Sequence, residues 1–138
     1  QAVLKYEEAY HQCGLAPTGC KPEEFTALEG TTRPTMTQFV EGLVNEGLYF
    51  SRDVRGSYGV AESTTVESAD AATAVFCIFD AGTVLGPLGP DGLPTVVNDQ
   101  IQSIRYEYHV FLEGGDWLVG EVRQLERLGE GSSCPPAV

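Results

Sequence analysis

Basic residues are scarce in this sequence of 138 residues. Eight lysines and arginines stand against 20 aspartates and glutamates, which gives a formal net charge of −12 at pH 7. Nucleic acids and anionic membrane surfaces would repel such a chain, because binding to either depends largely on lysine and arginine. Long apolar runs are missing as well, and nothing approaches the roughly 20 consecutive apolar residues of a membrane-spanning helix. The sequence therefore predicts no nucleic-acid partner and no membrane span.

Signatures of cofactor and metal binding are also missing. There is no nucleophile elbow, P-loop or dinucleotide fingerprint. Two histidines and the absence of a CxxC pair argue against a zinc site. Asp91 and Asp99 lie in a Gly/Pro-rich stretch, but they lack the alternating spacing of a calcium loop. We expect no cofactor and no metal.

Four cysteines are present, and their even number favours disulfides. Three pairings are possible. Cys13 and Cys20 bracket a short Gly/Pro loop and can close locally, whereas a bond between Cys77 and Cys134 would pin the tail 129–138 to the sheet. Disulfides predict an extracytoplasmic protein, and a start at Gln1 leads us to expect a mature or trimmed form. The alternative is four reduced, buried thiols in a cytosolic protein.

Two amphipathic helices are predicted before residue 50, in a chain whose length suits one domain, 1–138. In the first, Glu7 falls among the polar residues opposite the apolar side, and His11 is expected to be exposed. The second begins at Pro34 and stops at Gly47. The apolar positions are Val3, Tyr6, Tyr10 and Cys13 in the first helix and Met36, Phe39, Val40, Leu43 and Val44 in the second.

Strands follow the helices. Residues 59–67 alternate as in a half-exposed strand near a sheet edge, and residues 71–81 are apolar on both faces, as in a central strand. Residues 82–99 contain Gly-Pro turns and are predicted to form a long connection. Helices followed by an antiparallel meander predict an α+β fold.

A hairpin from Ile101 to Leu128, with Gly114 and Gly115 as its loop, closes the predicted sheet. Counting outward from this loop sets the register. The predicted pairs are Leu112 with Trp117, Val110 with Val119, Tyr108 with Glu121, and Tyr106 with Arg123. This register buries Trp117 as the anchor of the hairpin. It also places the polar residues of the last two pairs on the helix-facing side.

These elements resemble the NTF2-like (SnoaL-like, cystatin-like cone) superfamily over nearly the whole chain. The similarity lies in the N-terminal helix, the second helix ending in glycine, the strand AVFCIFD at 74–80 and the closing GDWLV at 115–119. It implies N-terminal helices packed on a curved antiparallel sheet that forms a cone, often with a pocket and often dimeric through the sheet. The Cys77 strand paired with a late Cys134 resembles small secreted or lipoprotein-type actinobacterial members.

The candidate pocket residues are Tyr106, Tyr108, Glu121 and Arg123. A buried carboxylate beside an arginine and two phenols often marks a site, and such a carboxylate could abstract a proton. The alternative, which we favour here, is a structural Glu-Arg pair at the rim of the cone or in a dimer contact. His109 is expected on the outer surface. Asp80 ends the central strand, either as a site acid or as a turn residue.

The superfamily contains isomerases, hydrolases, cyclases and members without chemistry, so the resemblance does not choose a function. We favour a non-catalytic extracytoplasmic module that binds a protein partner or a small apolar ligand, and we assign no catalytic residue. The alternative is a cofactor-free enzyme of isomerase, hydrolase or cyclase type. A cavity that converges on the candidate pocket residues would favour the enzyme.

Overall fold

The computed structural model describes residues 1–98, 101–129 and 133–135. Two helices, α1 (Ala2–Leu15) and α2 (Thr32–Glu46), precede seven strands. The strands are β1 (Tyr49–Phe50), β2 (Tyr58–Val66), β3 (Ala71–Asp80), β4 (Val84–Leu88), β5 (Pro94–Asn98), β6 (Gln102–Glu113) and β7 (Asp116–Arg127). The helices pack on antiparallel strands, which confirms the predicted α+β class and its helix-on-sheet arrangement. No helix in the described ranges is long and apolar enough to cross a membrane.

Both predicted helices form. Helix α1 buries Val3, Tyr6 and Cys13 against the sheet, as its apolar spacing predicts. Helix α2 begins two residues before Pro34, whose ring fits a first turn because the amide there needs no partner. It ends at Gly47, where φ of 67° places the backbone in the left-handed region that glycine adopts without strain. Between the two helices, Pro22–Glu24 forms a single 3₁₀ turn.

The main sheet has the strand order β2-β3-β6-β7. Strand β2 is at an edge and β3 is central, as predicted. The face toward α1 is called the inner face here, and it buries Ala74, Phe76 and Ile78 of β3 with Tyr108 of β6 and Val119 of β7. The opposite side is called the outer face.

The predicted register of the β6–β7 hairpin holds near the turn and then fails. Leu112 pairs with Trp117 and Val110 pairs with Val119, as predicted. A β-bulge at Gly120 then adds one residue to β7, so that His109 lies opposite Glu121 and Glu107 lies opposite Arg123. One extra residue exchanges the two faces of a strand. The predicted pairs of Tyr108 with Glu121 and of Tyr106 with Arg123 are therefore wrong.

The bulge depends on glycine because another chain segment passes beside it. The amide of Ala27 donates to the carbonyl oxygen of Val119, 2.9 Å away. A Cβ at Gly120 would overlap the carbonyl oxygen of Glu29 and would lie 2.6 Å from a ring carbon of Phe111. The segment before α2 thus extends the edge of β7 and sets the position of the bulge.

Trp117 is 39% exposed, so it does not anchor the hairpin in the core. Trp117→Ala should therefore cost less than the roughly 3–5 kcal/mol that removal of a fully buried aromatic ring costs. The predicted register also places Leu125 on the inner face, but it is exposed, because the bulge at Gly120 exchanges the faces of β7 and a second irregularity follows between Gln124 and Glu126. Tyr108 and Val119 are fully buried and hold the hairpin to α1 instead.

The stretch after β3 is not the long connection that its glycines and prolines predict. Strands β4 and β5 form a hairpin that pairs with β1 in a second sheet of order β1-β4-β5. Its pairing is interrupted by irregularities, which accommodate Pro87 and Pro94. Asp91 lies in the turn between the two strands, and Asp99 lies outside the described residues.

Disulfides join Cys13 to Cys20 and Cys77 to Cys134. The second bond lies on the outer face, where the tail crosses the main sheet. The carbonyl oxygen of Cys134 accepts a hydrogen bond from the Tyr58 hydroxyl, 3.1 Å away, and its amide donates to Ser103 Oγ at 3.3 Å. Within the tail 129–138, only residues 129 and 133–135 belong to the described ranges.

Candidate inner cavity

A cavity of about 170 Å³ lies between α1 and the inner face of the main sheet, and it is called the inner cavity here. Helix α1 forms one side, and strands β3, β6 and β7 form the other. Its lining comprises Tyr6, Glu7, Tyr10, His11, Ile78, Asp80, Ile104, Tyr106 and Val122. Aliphatic side chains and tyrosine rings therefore surround two carboxyl groups and one imidazole.

Glu7 is the central polar group of the inner cavity. The Tyr108 hydroxyl donates a hydrogen bond to Glu7 Oε1 at 2.5 Å. Burial raises the pKa of the Glu7 carboxyl to about 7, since the ionised form loses water. The hydrogen bond from Tyr108 opposes this shift, and the negative charge of Asp80 adds to it. Glu7 thus changes its charge near neutral pH.

Several polar atoms around Glu7 have no partner among the residues that the structure describes. They are Glu7 Oε2 and the hydroxyl groups of Tyr6, Tyr10 and Tyr106. Burial raises the pKa of all three phenols, so they remain neutral at physiological pH. The buried side-chain atoms that lack a partner in the described residues are Thr32 Oγ1 and Ser51 Oγ, so the four atoms around Glu7 are within reach of water. The inner cavity therefore offers one acceptor and three hydroxyl groups to a bound molecule.

His11 and Asp80 lie at the two sides of the same cavity. His11 contacts the ring of Tyr10 at a centroid distance of 5.6 Å, and burial lowers the pKa of its imidazole. Asp80 Oδ1 accepts the amide of Gly82 at 2.8 Å, so this carboxylate also stabilises the turn after β3. The expectation that His11 is exposed is wrong. Asp80 is both a turn residue and a lining residue.

Of the four candidate pocket residues, the structure brings Tyr106 and Tyr108 to this region. It does not bring Glu121 and Arg123 there, because the bulge at Gly120 turns both away and places Val122 opposite Tyr108. The predicted cluster of two phenols with a Glu-Arg pair is therefore divided among three places.

Glu121 stabilises the start of α2. Its Oε1 accepts the amide of Thr31, the N-cap residue, and its Oε2 accepts the Thr31 hydroxyl, both at 2.8 Å. A carboxylate is favourable at this position because the amides of a first helical turn lack partners and carry partial positive charge. The role of Glu121 is structural.

Arg123 is on the outer face. Its Nη2 lies 3.0 Å from Glu107 Oε1, and its side chain is 68% exposed. His109 is also on this face, as predicted, with its Nε2 3.1 Å from the same oxygen of Glu107. Arg123 and Glu121 share no contact partner, so the predicted Glu-Arg pair does not form.

The residues described contain no cluster of three or more histidine, cysteine or acidic side chains that could hold a metal ion. The inner cavity adjoins a groove of about 290 Å³ on the other side of α1, and Glu7, His11 and Ile78 line both. A ligand bound in the inner cavity could thus extend into this groove.

Sequence reasoning missed Glu7, Tyr10 and His11 as lining residues. A signal for Glu7 was available, because it follows Val3 by four residues and precedes Tyr10 by three, which places it beside the apolar stripe. Its acidic type led to its assignment to solvent. His11 follows Glu7 by four residues and shares that edge of the helix.

Comparison with known proteins bears on the fold alone. No family model matches the sequence, and no curated protein matches it. The crystal structure of the intermembrane space region of the chloroplast protein ARC6 matches with a TM-score of 0.69 and 16% identity, over 90% of this chain and 91% of that chain. At that identity the likeness shows a shared fold and nothing further.

A putative calcium/calmodulin dependent protein kinase II association domain from Xanthomonas campestris also matches, with a TM-score of 0.46 and 13% identity. The match covers 87% of this chain and 79% of that chain. Its score is too low to support an argument about function.

Proposed function

We propose that this protein is an extracytoplasmic NTF2-like module that binds a small ligand in the inner cavity. The observation that carries the proposal is the cavity itself, where the carboxyl group of Glu7 lies among aliphatic and tyrosine side chains. Ligand sites are typically concave and mostly apolar, with a few polar groups that orient the ligand. The cavity favours a small ligand over a protein partner as the occupant of this site.

Membership of the NTF2-like superfamily is part of this proposal. Helices packed on one face of an antiparallel sheet, with a cavity between them, support it. So does the strand that carries Cys77 and its bond to Cys134. Dimerisation through the sheet, which the resemblance implies, remains a prediction.

The extracytoplasmic location rests on the two disulfides, since such bonds persist in oxidising compartments. The natively purified protein should have no thiol that iodoacetamide can alkylate before reduction. Four thiols that react without reductant would contradict this location.

Phenol is a suitable probe of the cavity, because a cavity of about 150 Å³ accommodates benzene. Titration of the ¹⁵N-labelled protein with phenol should give saturable shifts at the amides of Tyr106 and Val122. Val122→Phe should abolish the shifts by filling the cavity, whereas Val66→Phe, on the exposed edge of β2, should leave them unchanged. Shifts that do not saturate, or that survive Val122→Phe, would contradict binding at this site.

A second candidate function is proton abstraction by Glu7, which fits the cofactor-free enzyme considered from the sequence. The observation in its favour is the pKa of Glu7, raised to about 7, since a general base is most effective when its pKa lies near the working pH. Conversion of benzisoxazole to 2-cyanophenol tests this chemistry, because a carboxylate removes the carbon-bound proton while the N–O bond breaks.

If Glu7 is a base, the rate should rise as pH increases through 7. Glu7→Gln should lower the rate at least about tenfold, and Glu41→Gln on the exposed side of α2 should not change it. A rate that is equal in the wild type and in Glu7→Gln would contradict catalysis by Glu7 and leave ligand binding as the proposed function.

A further inference from the structure

We infer that the inner cavity binds an organic cation, with an ammonium group held between the carboxylates of Glu7 and Asp80 and the tyrosine rings. This inference rests on the proposed function and adds the chemical class of the ligand. Three observations support it: the charges that line the cavity, its aromatic walls, and the polar atoms that lack a partner.

The charges around the inner cavity are of one sign. Glu7 and Asp80 line it, and no lysine or arginine does among the residues described. His11 is the remaining titratable base, and burial lowers the pKa of its imidazole, which keeps it neutral at pH 7. The positive charge of Arg127, at the exposed end of β7, opposes the rise in the pKa of Tyr106, but Arg127 does not line the cavity. The site thus contains two carboxyl groups and no fixed counter-ion.

The walls are rich in tyrosine. Tyr6, Tyr10 and Tyr106 line the cavity, and Tyr108 lies behind it with ring centroids 6.2 Å from Tyr6 and 6.0 Å from Tyr106. The face of an aromatic ring attracts a cation through the ring quadrupole, most strongly where water is excluded. Cages of aromatic rings are typical of sites for quaternary ammonium ligands.

The partners of Glu7 point to the same class of ligand. Its Oε1 accepts a hydrogen bond from Tyr108, no hydrogen bond from a described residue reaches its Oε2, and the residue lines the cavity. An anionic ligand would be repelled by both carboxyl groups. A neutral ligand would leave Glu7 and Asp80 without a compensating charge, whereas a cation supplies one and favours the ionised form of Glu7.

The volume limits the head of the ligand to about seven non-hydrogen atoms, since the cavity measures about 170 Å³ and benzene fits about 150 Å³. Choline meets this limit. The apolar substituent of a longer amine could continue past Ile78 into the adjoining groove, which Glu8 and Arg55 also line. We therefore expect either a small quaternary ammonium compound or an amine with one extended substituent.

Choline and 3,3-dimethylbutan-1-ol form a matched pair for the test, because they have nearly the same shape and differ in charge. Isothermal titration at pH 8 should give choline at least about tenfold the affinity of the alcohol, which corresponds to about 1.4 kcal/mol. At pH 5 protonation of Glu7 should reduce this preference severalfold. Glu7→Gln should remove most of the preference at pH 8, and Glu41→Gln should retain it.

Three outcomes would overturn the inference. The first is equal or tighter binding of the alcohol, and the second is a preference for choline that survives both Glu7→Gln and Asp80→Asn. The third is phenol binding without choline binding, which leaves the proposed function intact. If phenol, choline and the alcohol all fail to bind, the inference and the proposed function fail together.

Discussion

The carboxyl groups on the two faces of the main sheet have opposite environments. On the outer face, Arg105 Nε lies 2.5 Å from Glu62 Oε1 and its Nη1 lies 2.8 Å from Glu126 Oε2, and Glu107 contacts both Arg123 and His109. In the inner cavity, Glu7 has a phenol as its hydrogen-bond donor, and no lysine or arginine of the described residues lines the cavity.

The pKa directions follow from that difference. The hydrogen bond from Arg105 lowers the pKa of Glu62, and the hydrogen bond with His109 lowers the pKa of Glu107. Burial instead raises the pKa of Glu7 to about 7. In a chain with 8 basic and 20 acidic residues, each arginine on the outer face is unavailable to the inside. The Glu7 carboxyl group at the candidate site is thus left without a lysine or arginine partner among the described residues.

The bulge at Gly120 decides which residues of β7 point to the inner face and which to the outer face. Substitution of Gly120 should therefore have the largest effect on stability. Gly120→Val would place side-chain atoms against the carbonyl of Glu29 and the ring of Phe111, and it should lower the free energy of unfolding by about 2–4 kcal/mol. Urea denaturation measures this loss. Gly42→Ala, in open space on α2, is the matched control and should stabilise the protein by up to about 1 kcal/mol. Equal effects of the two substitutions would contradict the placement of the bulge.

The charge of Glu7 should make the next largest difference to stability, and the size of that difference depends on pH. Between pH 4.5 and about 7 the folded protein retains a proton on Glu7 that the unfolded chain has released. The contribution of Glu7 to the free energy of unfolding therefore falls across this window as pH rises, and it stays low above pH 7. Glu7→Gln removes the titration and should stabilise the protein by roughly 1–3 kcal/mol at pH 8.

At pH 4 the wild type and Glu7→Gln should have nearly equal stability, because both side chains are then neutral. Glu8→Gln, on the exposed side of α1, is the control and should show no such pH-dependent gain. Thermal melts of the three proteins across pH 4–8 provide the measurement. A Glu7→Gln variant that is less stable than the wild type at pH 8 would show that the ionised carboxylate is well solvated.

Alanine substitutions of Glu121 and Arg123 should have the smallest effects on the free energy of unfolding. Glu121→Ala removes two hydrogen bonds from the start of α2 and should cost about 1 kcal/mol, whereas Arg123→Ala should cost less than about 0.5 kcal/mol at its exposed position. Because the two side chains share no partner, the double variant should equal the sum of the single variants. A coupling energy above about 0.5 kcal/mol would show that they interact after all.

Much of the fold could be predicted because local signals and tertiary structure agree. The apolar spacing of α1 and α2, the doubly apolar β3 and the glycines of the β6–β7 turn, at φ of 59° and 86°, each indicate the observed element. The β4–β5 hairpin could not be predicted in the same way. Its prolines and glycines favour turns, and its first strand, β4, pairs with β1, which lies more than 30 residues earlier in the chain.

The site could be predicted only in part for a related reason. Counting residues from the hairpin turn gives the correct face up to Val119, but an extra residue at Gly120 depends on the passing segment before α2, which the hairpin sequence does not reveal. Tyr106 and Tyr108 were found because they lie in β6, which keeps its register with β3. Glu7 was missed because hydrophobicity alone assigns a glutamate to solvent.

The most direct test of the account is the pKa of the Glu7 carboxyl group, measured by the ¹³C chemical shift of its Cδ as pH is varied. Glu7 should titrate near 7, and Glu107 should titrate below its ordinary range in the same experiment. Saturating choline should move the Glu7 midpoint downward, because a bound cation favours the carboxylate. A Glu7 midpoint near 4.5, unchanged by choline, would show an ordinary solvated side chain and would contradict the inner cavity as the functional site.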